Sequence, residues 1–108
     1  MGKEKETEIQ NAIRAELSEL GIVRRNNVGT FLTCYGTPIT IGIPGEADLT
    51  LFCKGGRTIF IEVKTPAGRQ SKQQKRFQAA AERLGFEYII MRSVDDARKL
   101  TERMKHEQ

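Results

Sequence analysis

Residues 46–64 read EADLTLFCKGGRTIFIEVK, two apolar runs joined by Lys-Gly-Gly. Along a strand, side chains alternate between faces. In 57–64, Ile59, Ile61 and Val63 share one face, and Thr58, Phe60, Glu62 and Lys64 share the other. In 46–53, Ala47, Leu49 and Leu51 share a face opposite Asp48, Thr50 and Phe52. Register decides which of these faces coincide. A two-residue Gly55-Gly56 turn would pair Asp48 with Val63 and set an aspartate among apolar side chains. A three-residue loop, Lys54 to Gly56, pairs Cys53 with Arg57 and Asp48 with Glu62. One face of the ribbon is then wholly apolar, and a glycine at the third loop position suits the left-handed residue of that hairpin. The hydrophobic pattern selects this register.

The same register gathers Asp48, Glu62 and Lys64 on the other face. An ionised group in an apolar interior costs several kcal/mol unless it is paired or bound. Two carboxylates brought together repel unless a cation lies between them. Hard oxygen ligands on a rigid sheet suit Mg²⁺ or Mn²⁺. With a lysine beside them they outline a phosphodiester-hydrolysis site. The plainer reading is a solvated face carrying a surface salt bridge of little value.

Outward from the hairpin, residues 5–20 place Ile9, Ile13, Leu17 and Leu20 on one helical stripe, with Gly21 as the stop. Residues 22–44 are broken by Gly29, Gly36, Pro38, Gly42 and Pro44, and read as short strands near 22–26, 30–34 and 38–42. Pro66 ends the strand 57–64. Residues 71–84 form a helix capped by Ser71, with Phe77, Ala80, Ala81 and Leu84 inward and Gly85 past its end. A strand over 86–93 and a helix over 94–105 follow, the latter capped by Ser93 with Val94, Ala97, Leu100 and Met104 inward. The order predicts an α/β domain with a mixed sheet flanked by helices.

At 108 residues the chain is the size of one domain, here taken as 1–108. A net charge of +4 permits a nucleic-acid partner without requiring one. Cys34 and Cys53 show no CxxC spacing, which argues against zinc and for reduced thiols in a cytoplasmic protein. The one histidine, His106, lies in a polar C-terminal stretch, which excludes a Ser-His-Asp triad or an HExxH site. Chemistry must run on carboxylates, lysine and metal. No apolar run of 18 residues predicts a membrane span, and no signal peptide is expected.

Asp48, followed by Glu62-Val63-Lys64, has the D…ExK form of the PD-(D/E)XK nuclease superfamily. The longer run PGEADL (44–49), FIEVKTPAGRQS (60–71) and QQKRF (73–77) resembles the virus-type replication-repair nuclease (VRR-NUC) domain, and the resemblance covers essentially the whole chain. It implies a restriction-endonuclease-like core of order α-β-β-β-α-β-α. It also implies Mg²⁺, replaceable by Mn²⁺, held by Asp48, Glu62 and the backbone carbonyl of Val63. Lys64 would orient the attacking water and steady charge on the phosphate. Gln74 matches the glutamine of the helix after the ExK strand, and Glu8 the acidic residue of the first helix as a further metal ligand or a support for metal-bound water. Glu46 precedes Ala47-Asp48 where proline commonly precedes the aspartate, and is a spare ligand or faces solvent.

Stand-alone members of the family imply a homodimeric, Holliday-junction-resolvase-like endonuclease of DNA repair, replication or recombination, bacterial or from phage. The segment 22–44 is its expected dimer surface. A monomeric flap or nicking nuclease, and a non-catalytic nucleic-acid-binding protein, are the alternatives.

Several of these residues have a second explanation. Ser71-x-x-Gln74 is also a capping box, and Glu8 suits a first helical turn by the dipole alone, where Glu4 and Glu6 compete with it. Phe52 and Phe60 read as core under a helix rather than base-stacking groups, and Phe31 and Tyr35 as core or loop. Arg69, Lys72, Lys75 and Arg76 at the start of the second helix, with Arg24 and Arg25, either touch DNA phosphate or are solvated charge. No base-reading motif is present, so recognition would be of DNA shape.

Overall fold

The computed structural model describes the backbone of residues 2–107 and side chains from Lys5. In chain order the elements are α1 (Gly2–Leu17), β1 (Gly21–Arg25), β2 (Gly29–Leu32), β3 (Pro38–Ile41), β4 (Leu49–Cys53), a 3₁₀ turn (Lys54–Gly56), β5 (Thr58–Val63), α2 (Lys72–Arg83), β6 (Glu87–Met91) and α3 (Val94–Lys105). The main sheet has the order β1-β4-β5-β6, and β2-β3 form a separate two-stranded ribbon. Apart from that ribbon the elements run helix, three strands, helix, strand, helix. The core therefore has the mixed architecture expected: β1, β4 and β5 pair antiparallel, and β6 joins β5 in parallel after the α2 crossover.

The deciding register is the three-residue-loop one. Leu49 pairs with Ile61 and Leu51 with Ile59, which by alternation sets Asp48 opposite Glu62. Cys53 N–H donates to the Arg57 carbonyl at 2.8 Å, closing a loop in which Gly55 and Gly56 both take positive φ. The apolar face of the ribbon is fully buried: Ala47, Leu49, Leu51, Ile59, Ile61 and Val63 have no solvent exposure. Ile13 and Leu17 from α1 and Ala97 and Leu100 from α3 cover it. The opposite face receives α2, where Phe60 packs edge-on against Phe77, ring centroids 5.1 Å apart.

Element ends differ from the sequence reading for identifiable reasons. The first helix stops at Leu17, and Gly21 opens β1 instead of capping the helix. Gly21 pairs with Cys53 at close range, and a Cβ there would lie 2.0 Å from the Phe52 carbonyl oxygen. The first hairpin strand begins at Leu49 rather than at Glu46, because Asn26 N–H takes the Asp48 carbonyl at 2.8 Å and the Asp48 side chain takes the next β5 amide. Leu84, assigned to the inward stripe, is 72% exposed: it is the C-cap of α2, beyond the last turn that packs. Ser93 occupies the N-cap of α3 without a side-chain capping bond. Asp96 instead reaches back and accepts the Arg92 N–H at 2.7 Å.

Phe52, read as core, is 42% exposed, since α2 crosses the sheet over Phe60 and leaves the β1 side of that face open. Phe31 and Tyr35 are also exposed. No helix among the described residues is long and apolar enough to cross a membrane.

Candidate active site

Three elements meet where β4 and β5 lose their ladder. Asp48 stands one residue before β4, Glu62 in β5, and Gln74 in the first turn of α2. Ladder pairing stops at Leu49–Ile61, and the freed Val63 N–H donates to Asp48 Oδ2 at 2.7 Å. That bond turns the carboxylate toward Glu62. Asn26 holds the approach to Asp48 from the other side, its Nδ2 donating to the Ala47 carbonyl at 3.0 Å and to Thr50 Oγ1 at 2.8 Å. Gly45 lets the same loop touch α2. Its φ is +82°, and a Cβ there would sit 2.2 Å from the Gln73 carbonyl oxygen, so no side chain fits.

Glu62 is 1% exposed and has a hydrogen-bonding partner on each oxygen. Gln74 Nε2 donates to Oε2 at 2.6 Å and the Tyr88 hydroxyl to Oε1 at 3.3 Å. Lys64 Nζ lies 3.4 Å from Oε2. Gln74 thereby serves two purposes. Its Oε1 accepts the Ser71 N–H at 2.8 Å, completing the capping box with Ser71 Oγ, while its Nε2 is spent on Glu62. Behind Tyr88, Gln70 Nε2 donates to the phenol oxygen at 3.3 Å and to Gln78 Oε1 at 3.0 Å.

Burial, and then the charge of Asp48, push the Glu62 carboxyl up to about 7, against the opposing pull of Lys64 and Tyr88. Burial likewise raises Asp48, although the Val63 amide, Lys64 and Arg25 each hold it back. A divalent cation between two such oxygens removes both penalties at once. The donor set therefore fits Mg²⁺ or Mn²⁺, which accept two carboxylates and complete their shells with water. Among the described residues no third histidine, cysteine or acidic side chain joins them. Glu8 is exposed on α1. It is Gln10 of that helix that lines the cleft of about 450 Å³ over Asp48 and Gln74. Glu46 lines the same cleft, its carboxylate accepting the Ile43 N–H at 3.3 Å.

Of the basic residues expected to meet phosphate, Arg25 lines this cleft. Arg69, Lys72, Lys75 and Arg76 are exposed near the α2 N-terminus, and Arg24 and Arg25 lie on edge strand β1. None of the six makes a salt bridge to a described residue; the surface pairs link Arg57, Arg98 and Arg103 to acids elsewhere.

Sequence reading missed four supporting residues. Tyr88 and Arg92 fell in the expected strand 86–93, Asn26 at the end of the expected strand near 22–26 and Gln70 just before the second helix, with no role assigned to any of them. Arg92 Nη1 reaches the carbonyls of Thr65 at 2.8 Å and Gly68 at 2.6 Å and ties down the loop after Lys64. Only Tyr88 carried a signal, since strand alternation sets it beside Phe60 and so on the Glu62 face.

No family model and no curated protein matches the sequence. A solved structure described as a VRR_NUC domain is similar over 91% of this chain and 95% of its own, with 25% sequence identity and a TM-score of 0.66. With its mixed sheet and flanking helices in that arrangement, the chain has the fold of a VRR-NUC domain, a nuclease fold.

Proposed function

We propose that this chain is a Mg²⁺-dependent, structure-selective DNA endonuclease. The observation that carries the reading is the convergence of Asp48, Glu62, Lys64 and Gln74 beside one cleft, which Asp48 and Gln74 line, with Glu62 buried and raised to about 7. A solvated salt bridge would not bury its carboxylate or surround it with donors.

Asp48, Glu62 and the Val63 carbonyl would hold the cation, with Mn²⁺ able to substitute. The ion supplies charge neutralisation at the phosphate and a lowered pKa for water. Gln74 and Tyr88 fix the Glu62 carboxylate so that both oxygens keep their direction. Lys64 orients the attacking water and offsets charge on the phosphate as it passes through in-line displacement. The phosphorus–O3′ bond breaks, leaving a 5′-phosphate and a 3′-hydroxyl that takes its proton from solvent. Arg69, Lys72, Lys75 and Arg76 flank the cleft where the backbone of a duplex would lie, and the α2 N-terminus adds its own attraction for phosphate.

A homodimer suits a branched, two-fold substrate such as a four-way junction. The β2–β3 ribbon, with Phe31, Leu32, Ile39 and Ile41 exposed, is the surface that would join the copies.

The test is incubation with plasmid, flap and four-way-junction DNA in Mg²⁺, then with EDTA, beside Lys64→Ala. Cleavage that EDTA abolishes and Lys64→Ala slows by about a hundredfold is the expected result. Equal cleavage by the variant overturns the role of Lys64. No cleavage of any substrate in Mg²⁺ or Mn²⁺ leaves a nucleic-acid-binding protein on a nuclease fold.

A further inference from the structure

The sheet face that carries Asp48 and Glu62 continues past them and is only half covered. Along β4 the same side presents Thr50 and then Phe52, and along β5 it presents Phe60 and then Thr58. Helix α2 closes over Phe60 through Phe77. Beyond it the face is open, with Phe52 42% and Phe86 41% exposed. Phe86 stacks edge-on against Phe60 at 5.5 Å, so its ring is braced from below while its outer side meets water. On β1, Ile22 pairs with Phe52 and Arg24 with Thr50, which brings an arginine onto the same surface. Arg24, Thr50, Phe52, Thr58, Phe60 and Phe86 line a second cleft of about 540 Å³, bounded also by Arg25, Asn27 and Glu46. Arg25, Asn27 and Glu46 line the first cleft too, so the two adjoin.

Exposed aromatic rings beside unpaired arginines have a chemical meaning. A ring face that no side chain covers can stack on a nucleobase of any sequence, and guanidinium groups beside it follow the phosphates. Neither Arg24 nor Arg25 makes a salt bridge to a described residue. The one carboxylate on the wall, Glu46, is occupied by the Ile43 amide. A duplex offers no exposed base faces to such a platform; an unpaired strand does. From Asp48 to Phe52 is four residues of extended chain, about 13 Å, or roughly four stacked nucleotides.

We propose that this second cleft binds a short unpaired DNA segment next to the phosphate presented to Asp48 and Glu62, with bases stacked on Phe52 and Phe86 and phosphates held by Arg24 and Arg25. The inference rests on the nuclease reading for its direction, but binding can be measured without cleavage. Substrates would then be selected by unpaired nucleotides beside the scissile bond: the cleft admits a flap, an overhang or a frayed junction arm, and passes over a continuous helix.

The experiment measures fluorescence anisotropy in EDTA with three probes: a blunt duplex, the same duplex with a single-stranded overhang of about eight thymidines, and the overhang oligonucleotide alone. Wild-type protein should bind the two overhang-bearing probes more tightly than the blunt duplex. Phe52→Ala should weaken that binding by about tenfold and leave blunt-duplex binding unchanged, with Phe52→Trp restoring it. Arg24→Ala should lower the salt dependence by about one phosphate contact. Phe52 is partly exposed, so its truncation should leave the Tm nearly unchanged, and a folded variant can be assayed.

Equal overhang binding by Phe52→Ala and wild type overturns the proposal. So does a Phe52→Ala protein that loses DNA only by changing from dimer to monomer in light scattering, since the face would then be an interface between copies. Failure of the nuclease reading shows separately, as absent cleavage in Mg²⁺ while overhang binding persists.

Discussion

Two hairpins in this chain obey the same antiparallel rules and end in opposite circumstances. In β4–β5 every inward residue is buried, and each strand has a further neighbour in the sheet. In β2–β3 all of Pro38–Ile41 and most of Gly29–Leu32 are exposed, and among the described residues no third strand joins the ribbon. Apolar content does not separate them, since Phe31, Leu32, Ile39 and Ile41 are as hydrophobic as the residues of the core. The difference lies in what each can pack against. The β4–β5 ribbon has α1 and α3 on one face and α2 on part of the other, whereas a lone hairpin is marginal in water. Strand alternation reports which residues share a face; it does not report whether anything covers that face.

Ile61 stands at the centre of the covered ribbon. Ile61→Ala should cost about 3 kcal/mol by urea unfolding, because the site is closed on every side and can collapse only partly. A loss below about 1 kcal/mol would mean that the two hairpins are equally loose.

Glu62, on the second face of the same strand, should behave in the opposite sense in metal-free protein. Its carboxyl is raised from 4.5 to about 7 in the folded chain. The folded state therefore binds the proton more tightly than the unfolded one. Stability is fully present below about pH 4.5 and falls as pH rises to about 7. Glu62→Gln, neutral at every pH, should flatten that fall and stabilise the metal-free protein at pH 8 by about 2 kcal/mol. Mn²⁺ should raise the wild-type Tm at pH 8 and leave the variant unmoved. A variant less stable than wild type at pH 8 without metal would show that the Glu62 hydrogen bonds outweigh its burial.

The smallest effect on folding belongs to the uncovered ribbon. Ile39→Ser should change unfolding by less than about 0.5 kcal/mol in dilute protein. It should raise the concentration at which light scattering detects a dimer, or abolish the dimer, only if β2–β3 is where copies meet. A dimer of unchanged strength moves that contact elsewhere.

Much of the site was legible because it depended on local rules. The loop length, and with it the Asp48–Glu62 pairing, followed from matching apolar faces. The capping box of Ser71 and Gln74 followed from spacing. Other parts depended on where separate elements come to rest. Phe52 was read as core under a helix, yet its exposure depends on the line along which α2 crosses the sheet. Gln10, rather than Glu8, lines the cleft through the rotation of α1 about its axis, which Ile13 and Leu17 settle by entering the core. The hold of Tyr88 on Glu62, and of Arg92 on the loop after Lys64, joins residues 24 or more positions apart, beyond the reach of any spacing rule.

What the amino-acid order determined by itself was periodic: which residues form strands, which share a face, where helices begin, and that two acids and a lysine stand together on the polar side of a ribbon. Those follow from backbone geometry and hydrophobic pattern, which act over a few residues. Tertiary packing decided the environment. It left Glu62 almost without water, hydrogen-bonded by Gln74 and Tyr88, and it left the Phe52 end of the same face open. Desolvation and Coulomb energy depend on what surrounds a group in three dimensions, and so became readable only once the layers were assembled.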